Sequence, residues 1–379
     1  MRCPFVGIAR RMIVPTVGAE EEFLLLDPRT ASPLDCNREV AATSESRSGI
    51  TLDMELTACQ VETTSPVVTD MDDLAEALTA SRAAVGDASA RHGAVAVPMG
   101  IAPVHRPGQV RTTVADDSRY RRIAERFGLI ADQAAVCGCH VHVAVQSRAH
   151  AVAVATAIRP WLPTLLAVTG NSPIYNGVDT GYASWRSVQW ARWPSAGPPP
   201  HLRSEAEYDR EVTEMIRAGT ILDDGMVYWD VRPSRRLPTV EIRVADVPAD
   251  SADTVLLARL CRALVMSVDP EVDAPAVPDS RLRRAYWLAA HDGLDGDAVD
   301  PATGTVLPAA SRLADLVAHV RGALTMTGDL EPVETHIDAL LARGTGARRQ
   351  REMLAAGSSV PEVVTSLAVP HSVGVQAAP

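Results

Sequence analysis

VPTVGAEEEFLLLD, residues 14–27, is the stretch that decides the fold. It is rich in β-formers and runs into the turn pair Asp27-Pro28, which predicts a strand. Side chains two apart on a strand share a face. Glu20 and Glu22 therefore point the same way, between apolar flanks. Two carboxylates side by side repel unless a cation lies between them, and hard divalent ions such as Mg²⁺ take oxygen sites of that kind. A solvated strand face is the plainer alternative.

Three further segments repeat the pattern. Residues 50–64 predict a strand pair with a bend near Ala58, and within it Glu55 and Glu62 add two carboxylates to the same cluster. Residues 134–146 (AAVCGCHVHVAVQ) alternate as a strand, so His140 and His142 share a face. Three readings compete there: a soft-metal site that includes Cys139, a histidine in a magnesium–nucleotide site, and a structural pair. Residues 239–246 (TVEIRVAD) place Glu241 and Arg243 on one face. A carboxylate that binds a cation beside a guanidinium that neutralises a phosphoryl group suits phosphotransfer; a cross-strand salt bridge is the alternative. Outside these strands, Arg186 in TGYASWR (180–186) is a candidate for a substrate carboxylate or phosphate. Trp190 and Trp193 would form a rigid rim beside it. GTGARRQR (344–351) reads either as a helix start that holds a phosphate or as a solvated basic helix.

The remaining pattern places these segments. Helices are expected over 70–91, 117–127, 148–168 (bent by Pro160 and Pro163) and 204–218, the last opened by a capping box of Ser204 and Glu207. Short strands are expected at 94–97 and 227–231, and a long functional loop at 171–203. From 251 onward the pattern is mostly helical. Strands and helices do not alternate as βαβ units, so the fold class expected is α+β with a largely antiparallel sheet. A single domain should cover 13–368, with a helix-rich C-terminal part over 251–368 and loose termini at 1–12 and 369–379.

Composition narrows the function classes. The chain has 379 residues and a formal charge of −11, which speaks against nucleic acid as a main partner. All 36 basic residues are arginines. A Walker P-loop, a protein-kinase site and a Schiff-base enzyme each need a lysine, so all three drop out. The six cysteines are scattered, no secretory signal is recognisable, and the longest apolar run (151–158) is too short for a membrane span. A reduced cytoplasmic protein is expected.

Taken together, GAEEEFLLLDP (18–28), ELTACQVETT (55–64), CHVHVAV (139–145), DTGYASWR (179–186), ARWPSAGPP (191–199), TVEIRVADV (239–247) and GTGARRQR (344–351) resemble the carboxylate–amine ligases of the glutamate–cysteine ligase type 2 family. The segments come in the family's order across nearly the whole chain. The resemblance implies a glutamine-synthetase-like curved antiparallel β-sheet with flanking helices, and joining of L-glutamate to L-cysteine with ATP through an acyl phosphate. On that reading Glu20, Glu22, Glu55, Glu62 and Glu241, with His140 or His142, hold two or three Mg²⁺. His140, His142 and Arg243 face the nucleotide. Arg243 and Arg186 neutralise phosphoryl and carboxylate charge beside Glu241. Partners would be amino acids and ATP, with neither nucleic acid nor membrane; a homo-oligomer is compatible. A zinc-dependent hydrolase built on His-x-His and a non-catalytic relative are the rival readings. One segment departs from the family: around 284–293 the usual N-x-W-R-A-A-R-Y-G is replaced by AYWLAAHDG (285–293), with Leu288 and His291 where two arginines stand. The loss of two cations from one helix face is expected to weaken an anion site and leave a weak glutamate–cysteine ligase, or one that prefers a different or less anionic acid. A solvated surface helix is the alternative.

Overall fold

The computed structural model describes residues 14–105, 112–132 and 135–371. Its centre is a seven-stranded sheet in which every pairing is antiparallel. The strands are β1 (Val17–Leu26), β2 (Leu52–Met54), β3 (Gln60–Thr64), β4 (Val95–Val97) and β5 (Gly138–Ala144). A separate two-stranded hairpin, β6 (Ile174–Tyr175) and β7 (Val178–Asp179), precedes β8 (Val231–Pro233) and β9 (Thr239–Asp246). The order is β2-β3-β1-β5-β9-β8, with β4 beside the end of β1. This is the expected α+β class.

The pleat sorts residues between two faces. Val17 and Ala19 of β1, Cys139, Val141 and Val143 of β5, and Val240, Ile242 and Val244 of β9 are all buried in the main core. There they meet Leu74 and Leu78, Leu165 and Leu166, and Leu256, Leu257 and Leu260 from helices Met71–Ala90, Leu162–Thr169 and Ser251–Met266. Burial of that apolar face fixes the strand register, because a slip of one residue would exchange the faces. The alternate positions carry Glu20, Glu22, His140, His142 and Glu241.

Several elements differ from expectation for identifiable reasons. Helix Asn37–Ser48 was not expected: its sequence NREVAATSESRS has no apolar stripe and buries only Asn37, Val40 and Ser44. The stretch 148–168 breaks into Arg148–Ala157, a 3-10 turn Arg159–Trp161 and Leu162–Thr169, bent by 44° where Pro160 cannot donate. The long loop at 171–203 contains the β6–β7 hairpin and helix Trp185–Trp190. The strand expected at 227–231 begins only at Val231, after a 3-10 turn at Asp224–Met226. Ser204 does cap Glu205–Ala218, but the Glu207 carboxylate accepts from the N–H of Arg203 (2.9 Å), one residue earlier than a capping box requires.

Residues 1–12 and 372–379 lie outside the described residues. Val369 is buried, and its N–H donates to the Ala96 carbonyl (2.9 Å). Among the described residues no single helix is long and apolar enough to cross a membrane.

Candidate active site

Antiparallel register brings the acidic strands together. Glu20 of β1 lies opposite His140 of β5, and Glu22 opposite Glu62 of β3. His142 lies opposite Glu241 of β9, which in turn faces Arg232 of β8. Glu55 follows directly after β2. A direct Glu22–Glu62 pair is a like-charge cross-strand pair, which destabilises a sheet unless something offsets it. The ligand atoms converge in three overlapping sets, each within 4.8 Å: Glu22, Glu55 and Glu62; Glu20, Glu62 and His140; Glu20, His142 and Glu241. All seven residues line one cavity of about 460 Å³.

The electrostatics divide this floor in two. Burial, then the nearby Glu22 charge, pushes the Glu55 carboxyl up to about 8 from its ordinary 4.5. Burial, with Glu55, Glu20 and Glu22 adding to it, raises Glu62 well above its ordinary value. Glu20 is different. Burial opposes its charge, but the hydrogen bond with His140 (Nδ1 to Oε2, 3.0 Å) and the adjacent His142 ring hold its carboxyl well below the usual range. His142 Nε2 lies 3.1 Å from Glu20 Oε1. The His140 imidazole is kept neutral, first by burial and then by the Arg243 charge. Its Nδ1 is 3.4 Å from Arg243 Nη1.

On the other side of the cavity sits a cationic edge. The Arg243 guanidinium pairs with Glu241, and Arg232 grips the same carboxylate with two bonds (2.9 and 3.2 Å). Burial works against the Glu241 charge, but Arg243 and Arg232 together hold its carboxyl well below the ordinary range. Arg243 Nε has no hydrogen-bond partner. Arg119, Arg235 and Arg236 also line the cavity, as do Trp190, Trp193, Tyr120 and Tyr228. Trp190 packs on Tyr228 at 4.8 Å and on Trp193 at 6.0 Å, which is the expected aromatic rim. Arg186 lines the cavity as well, though it is 4% exposed, with Nη1 3.8 Å from Asp246.

All of the expected site residues except Arg186 thus meet on the acidic floor or its cationic edge, and Arg186 lies in the wall beside them. Other expectations are corrected. Cys139 is on the opposite face, buried in the main core against the helices, so it cannot share a metal with His140. GTGARRQR is not an open anion site: Gly344–Ala347 are buried, and the Ala347 N–H donates to the Gly170 carbonyl (2.9 Å). Arg232 was missed because it lay just past the expected strand end. Its one signal, a register partner for Glu241, needs the structure. In helix Asp279–Asp292, His291 stacks on Trp287 (4.7 Å, 14° between planes) and meets Tyr182 edge-on at 4.7 Å. An aromatic cluster stands there in place of a cationic surface, and none of its three rings lines the cavity.

The fold has close relatives among solved structures. A glutamate–cysteine ligase from Francisella tularensis in complex with AMP superposes with a TM-score of 0.68 at 12% identity, covering 94% of this chain and 88% of that one. A bifunctional glutathione synthetase from Pasteurella multocida gives 0.65 at 13% identity over 93% of this chain, which spans about half the length of that protein. At such identities the likeness establishes the fold. The class, an ATP-dependent ligase that joins a carboxylate to an amine, follows from the family to which the sequence assigns the chain.

Within that class the chain belongs to the glutamate-cysteine ligase family 2, whose model matches residues 16–368. A protein of Nocardia farcinica, provisionally named glutamate–cysteine ligase 2-1, is 50% identical over 94% of this chain and 93% of its own length. A Mycolicibacterium smegmatis protein with the provisional name glutamate–cysteine ligase 2-3 is 47% identical over 93% and 97%.

Proposed function

We propose that the enzyme forms γ-glutamylcysteine from L-glutamate, L-cysteine and ATP, with Mg²⁺ held on the acidic floor of the cavity. The observation that carries the metal is the Glu22–Glu55–Glu62 set: three carboxylates within 4.8 Å of one another and withdrawn from water, with no arginine among the described residues bonded to Glu55 or Glu62. Such a set disfavours its own ionisation and suits a hard divalent cation. Glu20, His140, His142 and Glu241 extend it to two or three ions. Bound Mg²⁺ would neutralise nucleotide phosphate charge and orient the phosphates.

The chain's own groups account for the rest. An oxygen of the substrate γ-carboxylate attacks the γ-phosphorus of ATP, ADP leaves, and an acyl phosphate forms. The cysteine amine attacks its carbonyl carbon, phosphate leaves, and the amine gives up a proton. Arg243 would stabilise the charge on the transferring phosphoryl oxygens, and Arg186 would meet the substrate carboxylate. Trp190, Trp193 and Tyr228 would keep water from the acyl phosphate. The enzyme needs no covalent nucleophile. Cys137, Cys139 and Cys261 are free, fully buried thiols, consistent with work in the reducing cytoplasm.

The test is an assay of ADP release over pairs of acids and amines. Glutamate with cysteine should release ADP and form the dipeptide in equal amounts, and only with Mg²⁺. Release that ignores the amine would refute the ligase chemistry. Hydrolysis with Zn²⁺ and no ATP would favour the hydrolase reading instead.

A further inference from the structure

Arg186 enters the cavity wall from the first turn of helix Trp185–Trp190, but little in that wall holds it. Among the described residues its Nε is without a partner, and its terminal nitrogens make only long bonds to the carbonyls of Val244 (3.4 Å) and Arg243 (3.5 Å). Its ion-pair partner is Asp246, at 3.8 Å, and the buried Asp230 carboxyl also feels its charge. Asp246 is fully buried, and its hydrogen bonds come from the segment that carries Arg186: Asn171 N (3.0 Å), Ser172 Oγ (2.6 Å) and Ser184 Oγ (2.7 Å). Ser172 Oγ in turn accepts from the Arg186 N–H (3.0 Å), and Ser184 Oγ caps the helix by accepting from Ser187 N (3.2 Å). A satisfied buried carboxylate of this kind makes a stiff anchor.

The same anchor reaches the C-terminal part of the chain. Asn171 donates through Nδ2 to the carbonyls of Pro98 (2.6 Å) and Val247 (2.8 Å), and its Oδ1 accepts from Gln350 Nε2 (2.7 Å). Glycines stand at both ends of this relay. A Cβ on Gly346 would collide with the Asn171 amide, and one on Gly138 with the Arg186 guanidinium. The motif 344–351, which no ligand explains, thus has a place in the site.

We infer that Asp246 is a positioning residue for Arg186, and that segment 344–351 fixes that position through Gln350 and Asn171. The inference rests on the substrate role proposed for Arg186 only in its kinetic arm. The first arm uses no substrate: phenylglyoxal labelling of Arg186 in the full-length protein, read by peptide mass spectrometry. In the wild type Arg186 is protected. In Asp246→Asn its labelling rate should rise about tenfold or more, as the charge beside it is lost and the hydrogen bonds that tie Ser172 and Ser184 to Asp246 weaken. Gln350→Ala should give a smaller rise in the same direction. The second arm is ADP release. Asp246→Asn and Arg186→Ala should raise the KM of the same substrate, and the double variant should be no worse than Arg186→Ala alone. A merely structural role would lower kcat and leave each KM unchanged. Should Asp246→Asn fail to fold, Ser172→Ala makes a milder cut in the same network. Unchanged labelling in folded Asp246→Asn or, in its place, Ser172→Ala overturns the inference, as do effects of Asp246→Asn and Arg186→Ala that simply multiply. A wild type that releases no ADP with glutamate and cysteine defeats the proposed substrates, and the labelling arm then decides alone.

Discussion

Glu21 and Glu22 are adjacent in β1, face opposite sides of the sheet, and are treated in opposite ways. The Glu21 carboxylate is fully buried and closed off: Arg82 donates to both oxygens (2.6 and 2.9 Å) and Thr254 Oγ1 donates to Oε1 (2.5 Å). Two further Arg82 N–H groups donate to the carbonyls of Pro248 and Ala249. Glu22 instead faces Glu62 across the ladder, with Glu55 beside both and, among the described residues, the Gly138 N–H (2.7 Å) and a long contact to His140 (3.6 Å) in return. One face spends its charge on holding the fold together. The other leaves Glu22, Glu55 and Glu62 crowded without a cationic partner among the described residues, which costs stability and, on the proposed reading, suits them to a cation.

The largest expected effect lies at the cationic edge of the open face. Arg243→Ala should lower ATP-dependent ligation on the order of 10³-fold or more, because on the proposed reading its guanidinium meets the phosphoryl charge as it develops. Circular dichroism should show the fold intact. Near-normal turnover would mean that Arg243 serves only as a partner for Glu241.

The two faces should then part in stability. Arg82→Ala leaves Glu21 buried and alone, and should cost about 3–5 kcal/mol in urea unfolding. Glu62→Gln should leave the metal-free protein as stable as before, or more so, while abolishing activity. A pH series sharpens the contrast. The Glu55 carboxyl titrates near 8 when folded and near 4.5 when unfolded, so between those values the metal-free folded state holds the extra proton. Its contribution to stability is present below about pH 4.5 and is lost as pH rises toward 8. Thermal unfolding of metal-free protein should therefore weaken across that window, and Mg²⁺ at about a hundredfold excess over Kd should restore about 2.7 kcal/mol. A Glu62→Gln protein that unfolds as readily as Arg82→Ala would erase the distinction between the faces.

The smallest effect concerns the helix that departs from the family. Because His291 packs on Trp287 and Tyr182 away from the cavity, restoring Leu288→Arg and His291→Arg together should change the glutamate KM by less than about tenfold, as for charges near solvent. A large gain in ADP release would show that the lost arginines belonged to the substrate site.

The comparison also explains what was legible in the sequence. Period-two spacing alone puts Glu20 with Glu22, His140 with His142 and Glu241 with Arg243. Three such pairs on β-rich strands with apolar neighbours are enough to infer one acidic sheet face. The partners that complete the site were not legible. Arg232 depends on a strand boundary displaced by a few residues. Gln350 and Asn171 are 179 residues apart, joined by a contact that no local pattern records. Helix Asn37–Ser48 was invisible because it has almost no apolar face to supply a period.

The most direct test of the open face is divalent-cation binding with Mn²⁺ as a spectroscopic stand-in for Mg²⁺, followed by electron paramagnetic resonance in the wild type and in Glu22→Gln/Glu62→Gln. The wild type should bind more than one Mn²⁺ per chain, with Mg²⁺ competing and ATP strengthening the binding. The double variant should fold and lose at least the ion held by Glu22, Glu55 and Glu62. Equal binding by the two proteins, or no saturable binding by the wild type, would contradict a metal-holding role for this face of the sheet.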